Sequence, residues 1–91
     1  MGQVQSVYKY PISATAETRM LMPESAAVVA VGLDMNGDPC VWVLVDPELP
    51  KIEERVFSIR STGSRVPATS KFCGTFFEMP FVWHVFEELP A

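Results

Sequence analysis

The chain has 91 residues, 48% of them hydrophobic, and a formal charge of −4 at pH 7. That length fits one domain over residues 1–91, and the hydrophobic share excludes the low-hydrophobicity, high-charge regime of disordered chains. The acidic balance argues against a nucleic acid polymer as partner, since phosphate-driven affinity needs surplus Lys and Arg; no window nears the roughly 18 apolar residues of a membrane span.

Prolines and glycines cut the sequence into short pieces whose apolar residues recur with period two, the pattern of β-strands. Residues 7–10 read as a first strand stopped by Pro11 and 18–22 as a second stopped by Pro23, with SATAE as a turn between them. Residues 26–33 and 40–45 flank Asn36-Gly37, a dipeptide that accommodates the positive φ angles of tight hairpin turns, and so predict a β-hairpin. Val29, Val31 and Leu33 fall on one face of its first arm. In the second arm Val41, Val43 and Val45 oppose Trp42 and Leu44, so both faces are apolar and the strand is expected to be central. Asp46-Pro47 ends it, and ELPKIEE reads as a charged surface loop. Strands follow at 55–60, 72–77 and 81–86, the last two joined by Glu78-Met79-Pro80. The expected fold is all-β: about seven short, mainly antiparallel strands in a small sandwich or partly rolled barrel. A final strand that is apolar on both faces is an exposed-edge liability in a monomer, and so predicts a homo-oligomer.

The acidic average hides a local exception. Residues 55–77 contain no Asp or Glu, yet Arg55, Arg60, Arg65 and Lys71 supply four of the seven basic residues. Within that stretch the loop 61–70 combines Ser61, Thr62, Gly63, Ser64 and the charges of Arg60 and Arg65, groups that hold phosphate through backbone amides, hydroxyls and charge-assisted hydrogen bonds. A solvated turn with surface arginines accounts for the same residues. Without the Gly-rich sequence and following helix of a P-loop, the stretch does not predict nucleotide hydrolysis.

Trp42 and Trp83 have faces suited to stacking on a planar ligand, although large aromatics are also what a small β-core buries. His84 shares a strand face with Val82 and Phe86, which reads as a core or edge histidine with a satisfied ring, or as a ligand-binding one. Cys40 and Cys73 sit in strand-like surroundings and read as reduced core thiols. One histidine and two cysteines in these positions predict no metal site, no cofactor and no enzyme, because no nucleophile is aimed at a base by any motif. The opening MGQVQSVYKYP lacks the basic-then-apolar pattern of a secretory signal, so a cytoplasmic protein is expected.

Tyr8-Lys9-Tyr10-Pro11, the run from Trp42 to Val45 closing in Asp46-Pro47, the Thr62-Gly63 step, Gly74-Thr75-Phe76 and Val82-Trp83-His84-Val85-Phe86-Glu87 together resemble a family of short phage and prophage proteins described as a domain of unknown function. The resemblance spans nearly the whole chain and implies a phage origin, a host-cytoplasm location and a compact fold, without handing over an activity. Its pattern has His after Thr-Gly where this chain has Ser64, so no imidazole role carries over there. Small accessory phage proteins often neutralise a host protein or immune signal. The expected function is therefore non-enzymatic sequestration of a small anionic, nucleotide-like host signal by Arg60, Ser61, Thr62, Gly63, Ser64, Arg65, Trp42 and His84. The alternatives are a protein inhibitor that offers Glu53-Glu54 and Glu87-Glu88 to a host protein, and a minor virion component.

Overall fold

The computed structural model describes residues 4–89; residues 1–3, where the stretch read for a secretory signal begins, and 90–91 lie outside it. Seven strands follow one another: β1 (Ser6–Pro11), β2 (Thr18–Pro23), β3 (Ala27–Leu33), β4 (Pro39–Val45), β5 (Lys51–Ser61), β6 (Ser70–Glu78) and β7 (Phe81–Glu88). They form a three-stranded sheet in the order β1-β4-β3 and a four-stranded sheet in the order β2-β5-β7-β6, with every pairing antiparallel. This is a small sandwich rather than a closed barrel. Among the described residues no helix is long and apolar enough to cross a membrane.

As its two apolar faces predict, β4 is central. Val41, Val43 and Val45 are at most 1% exposed and pack in one cluster with Ile12, Met22, Ala26, Phe57, Phe76 and Val85. Alternation turns Trp42 to the outer face of the three-stranded sheet, where it is half-buried, so it lies outside this core. Cys40 and Cys73 are both free; Cys40 is buried and Cys73 half-buried.

Four expectations change. Lys51, Ile52, Glu53 and Glu54, read as loop, begin β5: Glu53 pairs with Met22 and Glu54 with Leu21. The strand overhangs the core there, so its charged side chains stay exposed while its backbone is satisfied by β2. In β3 the register slips between Val28 and Ala30, a bulge that leaves Val29 56% exposed; Val28, Val31 and Leu33 pack on the core. The β3–β4 hairpin turns over Asp34–Gly37. The Gly37 amide donates to the Asp34 carbonyl at 2.9 Å, and positive φ is confined to Gly37 (81°), Asn36 not sharing it. This is the three-residue hairpin loop with glycine in the left-handed position, and the Asp34 carboxylate fixes it by accepting from the Asn36 and Asp38 amides and pairing with Lys9 at 3.1 Å. Those backbone bonds, that to Asp38 foremost, and Lys9 hold the Asp34 carboxyl below the ordinary carboxylate range. Finally, β7 lies between β5 and β6, which removes the edge on which self-association was expected.

Two contacts tie the sheets together. A Cβ built on Gly74 in β6 would lie 2.6 Å from Val31 Cγ2 in β3, so glycine is what allows this approach. At one end of the sandwich, Arg55 donates from Nε and from Nη2 to the Glu87 carboxylate, and from Nη1 to the Ala26 carbonyl at 2.9 Å. Only 13% of the Arg55 side chain and 8% of the Glu87 side chain are exposed. The hydrogen bond to Glu87 outweighs desolvation and holds the guanidinium pKa above its ordinary value.

Gly74→Ala is expected to destabilise the fold by about 1–3 kcal/mol through overpacking. Val31→Ala should absorb part of that loss, so chemical denaturation of the two single variants and the double variant should be non-additive. Glu87→Gln, which leaves the buried Arg55 only the exposed Glu53 carboxylate at 3.1 Å as counter-charge, is expected to cost about 3 kcal/mol. Glu54→Gln, at an ion pair with Arg19 exposed on both sides, should cost at most about 1 kcal/mol in the same assay.

Candidate functional site on the outer face of the four-stranded sheet

Inward-facing Phe57, Ile59 and Val85 fix the parity of β5 and β7 and turn Ser58, Arg60, His84, Phe86 and Glu88 outward. In β6 the register slips between Phe72 and Gly74, so Cys73 is an extra residue in the ladder. Phe72 and Phe77 are five residues apart, which uninterrupted alternation would place on opposite faces. The bulge restores them to one: Phe72 pairs with Phe86 and packs against its ring edge-on at 5.6 Å, and Phe77 pairs with Val82. Phe72 is 58% and Phe77 68% exposed.

Between these rings lies a row of polar groups. Arg60, His84 and Thr75 are cross-strand partners on β5, β7 and β6. His84 Nε2 is 2.8 Å from Thr62 Oγ1 and Nδ1 is 2.9 Å from Thr75 Oγ1, so both ring nitrogens are satisfied, as one sequence reading has it, but on the outer face and not in the core. The ring's second partner is a hydroxyl, not the carboxylate that orients the imidazole in a nucleophile–base triad.

The loop after β5 is tied down locally. The Ser64 amide donates to the Ser61 carbonyl at 3.1 Å, the two hydroxyls lie 2.8 Å apart, Gly63 turns with φ 91°, and the Ser70 amide donates to the Pro67 carbonyl at 3.0 Å. Arg60 clamps it by donating from Nη1 to the Arg65 carbonyl at 2.9 Å, and from Nη2 to Glu88 at 3.2 Å. Arg60 Nε is buried and has no acceptor among the described residues. Glu88 is the hub of this corner, accepting also from Ser58 and, at 2.5 Å, from Ser70. Burial alone would raise the Glu88 pKa, but the hydrogen bonds from Ser58, Ser70 and Arg60 prevail and lower it.

Of the residues singled out in the sequence, Arg60, Ser61, Thr62, Gly63, Ser64, Arg65 and His84 therefore form one patch. Trp42 does not join them: it lines a broad depression of ≈ 520 Å³ with Lys9, Leu33, Asp34, Met35 and Asn36 on the other sheet. Trp83 faces inward, stacks on Phe81 at 5.3 Å and donates to Glu78 at 3.2 Å. Phe72, Phe77 and Thr75 were missed, because their common face depends on a bulge at Cys73; Gly74 beside it, a glycine inside a strand pattern, is the signal that could have found them. Glu87 and Glu88, read as a free acidic pair, are both engaged within the chain.

The chain is a small antiparallel β-sandwich that exposes aromatic rings beside hydroxyl and guanidinium groups on one sheet. The chain belongs to the family named Domain of unknown function (DUF7352), whose model matches residues 3–91. Neither the curated proteins nor the solved structures give a match.

The lowered pKa of Glu88 has a definite sign. Its contribution to stability is complete above the carboxylate's unfolded value of 4.5 and is lost as the pH falls through the lower folded value. Melting curves of the wild type and Glu88→Gln should thus differ most above pH 4.5 and converge in more acidic buffer.

Proposed function

We propose that this domain is a non-enzymatic binding protein that holds a small anionic, nucleotide-like ligand on the outer face of its four-stranded sheet. The observation that carries this reading is the coincidence, on one face, of two exposed phenylalanine rings with the Arg60–His84–Thr75 row and the acid-free loop above it. Exposed rings on a sheet stack on bases of any identity, each stack contributing about 1–3 kcal/mol. Arg65 is exposed and forms no ion pair among the described residues, and the hydroxyls of Ser61, Thr62 and Ser64 lie on the same exposed loop. Together they supply what a phosphate needs. The ligand would be held and not converted. From the family resemblance we read the protein as phage-encoded and acting in the host cytoplasm, where withholding a nucleotide-like signal from a host defence would be its role.

A second reading has its own observation. Met79 is 87% and Phe81 52% exposed at the β6–β7 connection, an apolar tip of the kind that anchors protein interfaces.

The first reading is tested by melting the purified protein against cyclic di- and trinucleotides, ADP-ribose derivatives, NAD and inorganic phosphate, since a ligand of the native state raises apparent stability by mass action. One nucleotide class should raise the melting temperature and be recovered chemically unchanged. Phe77→Ala and Arg65→Ala should each weaken its binding about 10-fold, and Trp42→Ala should leave it unaltered. Absence of a shift with every compound would defeat the reading and turn attention to a protein bound at Met79 and Phe81.

A further inference from the structure

We propose that two copies of this chain pair through the free edge of β6, forming a two-fold dimer centred on Thr75. The inference does not rest on the ligand reading, although Phe72 and Phe77 enter both. β6 ends the four-stranded sheet, and among the described residues no strand hydrogen-bonds to its far side. Such an edge presents unpaired N–H and C=O groups to any strand of matching pattern.

The sequence of β6 matches itself. In the ladder with β7, Phe72, Thr75 and Phe77 face outward, Lys71, Gly74, Phe76 and Glu78 face inward, and Cys73 is the extra residue. An antiparallel two-fold perpendicular to a sheet must pass through a residue position, because opposed residues share a face. With the axis at Thr75, Gly74 meets the partner's Phe76 and Phe72 meets the partner's Phe77. Lys71 then meets the partner's Glu78.

Two of these matches resolve something that the single chain leaves open. Phe72 and Phe77, both exposed in the single chain, would stand edge by edge in two aromatic cross-strand pairs. Lys71 and Glu78 are both exposed, and neither forms an ion pair among the described residues. The dimer would contain two such pairs.

Neighbouring registers lack this fit. An axis at Gly74 sets Lys71 against Phe76, and one at Phe76 sets Glu78 against Gly74; in both, the opposite charges stay apart. A lysine and a bulge on an edge strand discourage indiscriminate pairing. Here they select a single register, because only one brings the lysine to a carboxylate.

The test is sedimentation equilibrium without any ligand, up to about 1 mM chain, beyond which association is too weak to matter. The wild type should approach twice the 10.1 kDa chain mass. Lys71→Glu and Glu78→Lys should each weaken the dimer at least about 10-fold by opposing like charges, and the combined variant should restore it. Because Lys71 is the cross-strand partner of Glu87, Lys71→Glu also brings a like charge beside the Arg55–Glu87 pair; circular dichroism and melting curves confirm the fold of all three variants, and recovery of the dimer in the combined variant separates the interface effect from a loss of stability. A monomer throughout the range, a dimer indifferent to the single reversals, or a combined variant that remains monomeric would each overturn the proposal. Because nucleotide panels do not enter this experiment, its failure and that of the ligand reading are separable.

Discussion

The extra residue at Cys73 governs the outer surface of this domain. A strand's side chains alternate strictly, so one inserted residue exchanges the two faces for everything beyond it. Before the bulge Phe72 faces outward; after it Gly74 faces inward, where it admits Val31 of the opposite sheet to a distance that no Cβ would tolerate. Thr75 and Phe77 then face outward and Phe76 joins the core. Without the insertion, either Gly74 would face solvent and Phe77 the core, or Phe72 would. Close packing of the sheets and the aromatic outer face are thus two results of a single irregularity.

Electrostatics divides the same sheet into an inner and an outer account of charge. On the inner side, Arg55 and Glu87 neutralise each other almost out of reach of water, and the guanidinium also caps the Ala26 carbonyl, so the pair is both desolvated and hydrogen-bonded, as a buried ion pair must be to persist. On the outer side, Glu88 gathers Arg60, Ser58 and Ser70. Consecutive residues of β7 therefore serve opposite faces. The net acidity of the chain says little about either site, because the two carboxylates nearest them are already occupied.

Much of the fold was legible in the sequence. Prolines and glycines marked the ends of most strands, and the doubly apolar run from Cys40 to Val45 announced a central strand. The loop residues were legible as a group because basic and hydroxyl side chains cluster without acid between Arg55 and Phe77; His84 stood out as the chain's one imidazole, and the pairing of β5 with β7 brings it to Thr62. What escaped has physical causes. The bulges at Val29 and Cys73 shift the register without a proline or glycine at the shifted residue, so counting by twos misplaces Val29 and separates Phe72 from Phe77. The start of β5 escaped because charged residues normally signal solvent, whereas here the backbone of β2 satisfies a strand whose side chains never reach the core. Trp42 escaped because an aromatic opposite a row of valines can equally cover the outside of its sheet.

The insertion of β7 between β5 and β6 bears on how the chain comes to be folded during its synthesis. As the ribosome releases β5 and β6, these strands have no ladder between them; β5 has β2 on one side, but its other edge and the whole of β6 wait for residues still to be translated. Phe57 and Phe76 consequently stay without Val85 until β7 emerges and threads the gap. The four-stranded sheet closes late and through contacts distant in sequence, the topology that folds slowly. A nascent chain halted before Phe81 would expose the open edge of β5 and an unpaired β6 together, the form in which this small domain is most open to chaperones and proteases.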